Sequence, residues 1–239
     1  MKRRIALVTG ATSGIGLDLT RTLLAHDYAV VALSRRARAR ATLEPSERLA
    51  LLDGDVAEPA TAERAVTLAL ERFDGLDLVV NNAGIFRAKP FTDYTAEDLA
   101  ALVATNLAGF VHVTQAALRH MAPRGAGHIV NLGTSLAAQP VAGVPSALPI
   151  LIKGGIEAAT RSLAIEYAPR GIRVNTIAAG IIDTPLHGGA DRAALAGLSP
   201  ARRVGRPQEI SAAVLYLDSA EFVSGEVLHV DGGAHAGRW

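Results

Sequence analysis

The chain has 239 residues, with 24 Lys and Arg against 23 Asp and Glu and a formal net charge of +1. That balance offers no general attraction to nucleic acid or anionic membranes, and the absence of cysteine excludes a disulfide scaffold and thiolate metal sites. Hydrophobic residues at 49% and charged residues at 20% describe a folding chain rather than a disordered one, long enough to bury roughly 70–75% of its unfolded surface.

The N-terminal Met1-Lys2-Arg3-Arg4 is basic in the manner of a secretory leader, but only five residues, Ile5 to Thr9, separate it from Gly10. That is too few for a leader's apolar core, and no uninterrupted apolar stretch approaches the roughly 20 residues of a membrane span. The expectation is one soluble, cytoplasmic domain over residues 1–239, with no nucleic-acid or membrane partner.

In chain order, seven short apolar runs recur: Ile5–Val8, Ala29–Leu33, Leu49–Leu52, Leu76–Val80, His128–Val130, Val174–Ala179 and Val227–Val230. They are continuous rather than alternating, as strands buried on both faces are. Helical spacing lies between them, first over Leu17–Ala25 and most clearly at Ile152, Ile156, Ala159, Leu163 and Tyr167. Strands alternating with helices predict an α/β fold, a doubly wound parallel sheet with helices on both faces. The stretch Leu186–Leu198, rich in glycine and alanine, reads as a mobile segment over a pocket.

The first strand runs directly into Thr9-Gly10-Ala11-Thr12-Ser13-Gly14-Ile15-Gly16, and a helix follows. Glycines there permit a tight turn and let backbone N–H groups approach a pyrophosphate, while the helix N-terminus favours the anion. The spacing T-G-x-x-x-G-x-G resembles that of the short-chain dehydrogenase/reductase family. Further matches follow in order: Asp55-Val56, Asn81-Asn82-Ala83-Gly84, Asn106, Lys153, the stretch Ala179 to Pro185 and Val230-Asp231-Gly232-Gly233, with Ala179 replacing a proline of the family pattern.

The resemblance spans essentially the whole chain and implies a single-domain Rossmann-type fold. It also implies a dinucleotide held by Gly10, Thr12, Ser13, Gly14, Ile15, Gly16, Ser34, Arg35, Asp55, Val56, Asn82, Ala83, Gly84, Lys153, Gly180, Ile182 and Thr184. Where an NAD enzyme carries an acid at the end of the second strand, this chain has Ser34-Arg35-Arg36. A hydroxyl followed by guanidinium forks suits a 2′-phosphate, so the reading is NADP(H). Ser13 lacks the basic side chain of many NADP-preferring relatives, which leaves NAD(H) open. Arg38 and Arg40 continue the cluster into a loop.

By the same resemblance, the family moves a hydride between nicotinamide and a carbonyl or alcohol carbon. A serine polarises the oxygen, a tyrosine exchanges the proton, a lysine binds the ribose and an asparagine holds a water. Lys153 and Asn106 match the last two, but the tyrosine's place, four residues before the lysine, holds Pro149. None of Tyr28, Tyr94, Tyr167 and Tyr216 stands in a neighbouring register. Proline is tolerable there if Ser146 caps a helix whose first turn is Ala147, Leu148 and Pro149. The family's usual spacing puts the serine at Leu136; Ser135 is one residue away and is preferred, with Thr134 as the alternative. His187, in the segment after Thr184-Pro185, and Asp183 are further candidates for the acid left outside the catalytic set, Asp183 reading first as a turn and cap.

The seven histidines are scattered and no G-x-S-x-G occurs, so zinc and serine-hydrolase chemistry are poor fits. The expectation is an NADP(H)-dependent oxidoreductase for a small carbonyl or alcohol, with Asn106, Ser135 and Lys153 as its catalytic set. A cofactor-binding sensor or partner subunit, and non-redox chemistry on the same scaffold, are the rival readings. A homodimer or homotetramer is implied, through a helix in which Gly154 and Gly155 permit close approach. The C-terminal Trp239 either covers a neighbouring subunit or ends a frayed tail.

Overall fold

All seven apolar runs form strands, and all seven pair in parallel in one sheet. A computed structural model describes residues 3–39 and 43–237; Arg40 of the basic cluster and the terminal Trp239 lie outside the described residues. The strands are β1 (Ile5–Thr9), β2 (Ala29–Ser34), β3 (Leu49–Asp53), β4 (Leu78–Asn81), β5 (Gly127–Thr134), β6 (Ile172–Ala179) and β7 (Val227–Val230), in the order β3-β2-β1-β4-β5-β6-β7.

The helices are α1 (Gly14–Ala25), α2 (Pro59–Phe73), α3 (Ala96–Leu102), α4 (Gly109–Arg124), α5 (Ala147–Tyr167), α6 (Arg192–Gly197) and α7 (Pro207–Ser219). Successive side chains of a strand point to opposite faces, so the doubly apolar β1 serves two cores. Ala6 and Val8 pack with Leu19 and Leu23 of α1 and Ile210 and Val214 of α7. Ile5 and Leu7 pack with Ala65 and Ala69 of α2 and Val113 and Met121 of α4. A third cluster, Leu102, Phe110, Leu148, Ile152 and Ile156, joins α4 to α5.

Four details differ from the sequence reading. Helix α1 starts three residues earlier than expected, at Gly14. Strand β5 continues to Thr134 because its polar Asn131 pairs with Thr176 of β6 and donates to Thr160 of α5. The stretch expected to be a mobile segment contains a turn at Pro185–His187 and the short helix α6, started by Asp191, whose carboxylate accepts from the Ala193 N–H at 2.9 Å. Ser146 does precede α5, but its hydroxyl donates to the Val144 carbonyl (3.0 Å) instead of capping.

The continuous helical stretch Ala96–Arg124 is long and apolar enough to cross a membrane by length and composition. Here its Val113, Ala116, Ala117 and Met121 are buried against the sheet, the role of a core helix.

Polar residues lock the foot of the sheet, at the end where the strands begin. Asp218 of α7 accepts hydrogen bonds from Arg4 (2.8 Å), His128 Nδ1 (3.0 Å) and the Tyr28 hydroxyl. Asn175 Nδ2 donates to His128 Nε2 at 3.0 Å, leaving a neutral imidazole fully engaged. Burial pushes His128 below its ordinary pKa, with Asp218 opposing. Burial alone would raise the Asp218 carboxyl, but the hydrogen bonds from His128 and Tyr28 carry it below its usual value.

Both shifts make acid destabilising. The His128 contribution is full above the unfolded imidazole pKa of about 6.5 and is lost as pH falls below it. The Asp218 contribution stands above the unfolded carboxyl pKa of about 3.9 and is lost as pH falls through the lower folded value. Asp218→Ala, which leaves buried donors without their acceptor, is expected to cost about 3–5 kcal/mol. Urea melts of the variant at neutral pH, and of the parent on acidification, check both expectations.

Candidate active site

The order of strands reverses between β1 and β4, and a crevice opens beyond the carboxyl ends of such a pair. Thr9 closes β1: its hydroxyl donates to the Val80 carbonyl (3.3 Å) and accepts from the backbone N–H groups of Asn82 (3.0 Å) and Ala83 (2.9 Å). The Asn82 side chain returns the link, donating to the Thr9 carbonyl at 2.8 Å and to that of Gly10 at 3.3 Å.

Gly10 has φ +66°, and a Cβ there would stand 2.9 Å from the Asn82 amide nitrogen. A Cβ on Gly16 would come within 2.2 Å of the Gly10 carbonyl oxygen. Side chains are thus excluded from the turn by both conformation and space.

This cradle fits a pyrophosphate. Ser13 precedes α1 in extended conformation and makes no side-chain cap, so the first N–H groups of the helix, around Gly14, Ile15 and Gly16, remain available to an anion. The Thr12 and Ser34 hydroxyls meet at 2.9 Å, tying the loop to the end of β2. Beyond Ser34, Arg35 and Arg36 are exposed and form no ion pair among the described residues.

From the opposite side, Thr184 reaches the loop, its Cβ 3.1 Å from where a Gly14 Cβ would lie. Gly180 admits the backbone of Asp231 beside it, and Ile182 is buried. Asp55 turns the chain after β3, accepting from the Ala57 N–H at 3.0 Å, and Val56 packs on the start of α4 at Gly109.

Asn106, Lys153 and Gly84 come together at the end of β4. A Cβ on Gly84 would lie 3.2 Å from Asn106 Oδ1 and 3.6 Å from Lys153 Nζ. Asn106 lies in a π-helical turn, Val103–Ala108, between α3 and α4, a departure from the regular helix expected and one frequent at functional sites. Its amide grips the backbone of Ile85, accepting from N–H at 2.8 Å and donating to C=O at 2.9 Å.

Lys153 donates to the Leu132 carbonyl at 2.6 Å. Burial pushes its ammonium down to about 8, with Glu157 opposing. Pro149 is buried in the first turn of α5, one turn before Lys153. The first α-helical bond of α5 runs from Ile150 N–H to the Ser146 carbonyl (3.0 Å), so the missing proline N–H deprives no acceptor within the helix.

Ser135 begins a short turn after β5; it is 5% exposed, and its hydroxyl has no hydrogen-bond partner among the described residues. Thr134 is half-buried and its hydroxyl accepts from the Leu136 N–H. Asp183 is exposed and pairs with Arg192. Half-buried His187 is pushed below its ordinary pKa by burial, with Asp183 opposing.

Glu157 was missed in the sequence, although it stands four residues beyond Lys153 on the same helix. Asn81 and Asn131 were not singled out for the side-chain bond that joins them at 2.9 Å behind the lysine.

A family profile described as Enoyl-(Acyl carrier protein) reductase matches residues 10–235. A cis-4-hydroxycyclohexanecarboxylate dehydrogenase of Sinomonas cyclohexanicum is 39% identical, over 96% of each chain. Among solved structures, a gluconate 5-dehydrogenase of Burkholderia cenocepacia J2315, in complex with NADP and tartrate, is 32% identical with a TM-score of 0.90, covering 100% of this chain and 97% of the other. A 3-ketoacyl-(acyl-carrier-protein) reductase of Brucella melitensis, complexed with NADH, is 28% identical with a TM-score of 0.90, covering 97% of this chain and 98% of its own.

Proposed function

The chain belongs to the short-chain dehydrogenase/reductase family of oxidoreductases, and from that premise we propose an NADP(H)-dependent enzyme for a small carbonyl/alcohol pair that works without the family's tyrosine. The observation that carries the reading is the meeting of Lys153 and Asn106 at Gly84, beside a phosphate loop whose glycines are all in place. When bound, the nicotinamide supplies or accepts the hydride.

The chain's own residues do the rest. The uncapped start of α1 takes the pyrophosphate, Ser34 and Arg35 take the 2′-phosphate, and Asp55 and Val56 border the adenine. The stretch Gly180 to Thr184 closes the nicotinamide end. NADP(H) is favoured over NAD(H) because exposed guanidinium groups, without an ion pair among the described residues, follow Ser34 where a carboxylate would repel the phosphate.

Ser135 donates to the substrate oxygen with a hydroxyl that no protein group claims. Lys153 holds the ribose and a water that serves in place of the phenol. Asn106 clamps Ile85, so that the chain leaving β4 keeps its shape beneath the reacting atoms. Assembly as a homodimer or homotetramer is part of the reading, supported by the outer face of α5, where Leu151 and Ile165 are 69% and 80% exposed and Gly155 leaves open space.

A positioned general acid is worth about 10²–10⁴ in rate, so Pro149→Tyr is expected to raise carbonyl reduction up to about a hundredfold within that range. Steady-state oxidation of NADPH over a carbonyl panel measures it. Bound cofactor with no turnover in either form would contradict the reading and favour a cofactor-binding protein without redox chemistry, for which buried Pro149 is the motive. Arg35→Ala is expected to weaken NADPH by about tenfold, roughly 1.4 kcal/mol, and to leave NADH unchanged; fluorescence titration with the two cofactors distinguishes these effects.

A further inference from the structure

Helix α5 places Pro149, Lys153 and Glu157 at successive steps of four, one above another on a single face. Glu157 is 9% exposed, and its Oε1 has no hydrogen-bond partner among the described residues. Room for the carboxyl is made by Gly133 of β5, where a Cβ would lie 3.0 Å from that same oxygen. A buried carboxyl with an unmatched oxygen is costly, and an apolar side chain would fill the place more cheaply. Its one evident return is electrostatic, because half-buried Lys153 stands one turn away with its ammonium disfavoured by burial.

We propose that Glu157 is a positioning residue for Lys153, a buried carboxylate that helps keep the lysine charged where its surroundings disfavour that charge. Glu157 touches neither substrate nor cofactor. It acts through the lysine, and its value to the protein rests on the reading of Lys153 as the ribose ligand.

The surroundings leave few other candidates for this role. Among the described residues, Glu157 is the acid that acts on Lys153, and it opposes the effect of burial. Burial raises Glu157 itself, while the Thr134 N–H, Arg161 and Lys153 oppose that rise in decreasing order. From the elements packed around the pair come the Leu132 carbonyl and Thr134 amide of β5, Thr176 of β6 and Asn106 of the π-helical turn. None of these titrates near neutrality. Lys153, Glu157 and Arg161 therefore form a short row of alternating charge, and removing its centre leaves the lysine only the Leu132 carbonyl to set against burial.

The chain has only three lysines, Lys2, Lys89 and Lys153, so their ε-carbon resonances are resolvable in a ¹³C-lysine-labelled full-length protein, with Lys153→Arg for assignment. The proposal expects Lys153 to titrate near 8 in the parent and to fall by about one unit in Glu157→Gln, an isosteric change that removes the charge. Glu157→Leu, which has no polar atom to retain, must move it in the same direction. A Lys153 midpoint that stays in place in both variants overturns the proposal, whatever happens to their melting temperatures.

NADPH affinity measured across the same pH range separates the two layers of the argument. Affinity that follows the displaced midpoint supports both. A displaced midpoint with affinity indifferent to pH supports the pairing of Glu157 with Lys153 and counts against the cofactor-site reading instead.

Discussion

The exchange of hydrogen bonds between Thr9 and Asn82 holds the structure's functional end together. At the place where strand order reverses, β1 and β4 lie side by side but their chains depart in different directions. The Thr9 hydroxyl serves Val80, Asn82 and Ala83 at once, and the Asn82 amide satisfies the carbonyls of Thr9 and Gly10. With both strand ends fixed, the glycine turn is pressed against Asn82 and Ala83 so closely that Gly10 and Gly16 admit no side chain. The start of α1 and the path of the chain through Gly84 follow from the same join.

What this frame encloses is polar but sparsely charged. Buried amides and hydroxyls, Asn81, Asn131 and Thr160, pass hydrogen bonds from β4 to β5 and on to α5, and Lys153 is the cation set among them. Its ammonium is anchored on the Leu132 carbonyl and lowered by burial. Pro149, one turn before it, leaves this arrangement untouched, because the first turn of a helix has N–H groups to spare. The scaffold therefore accepts proline at this position without losing its fold.

The strands were legible because parallel sheets bury both faces and so require unbroken apolar runs. The ends of those runs were less so. Strand β5 passes beyond its apolar segment on Asn131, Gly133 and Thr134, whose partners in β6 and α5 no local pattern reveals. The glycine turn was readable from its own residues, since a turn is local, and the lysine through the family resemblance. The π-helical turn at Asn106 and the use of Ser146 on Val144 were not, since each depends on how distant or irregular backbone is satisfied. Glu157 carried a faint signal, a charge one turn from another charge on the same helix. Its burial, and the room that Gly133 makes for it, come only from the packing of α5 on the sheet.

The central claim, that this acid-poor site still transfers hydride, is tested most directly with NADPH deuterated at the transferable position of nicotinamide C4, offered with a broad set of carbonyl compounds and followed by mass spectrometry of the products. The account predicts deuterium on the carbinol carbon of at least one alcohol product. No label in any product, from protein shown in the same samples to be saturated with cofactor, would contradict it.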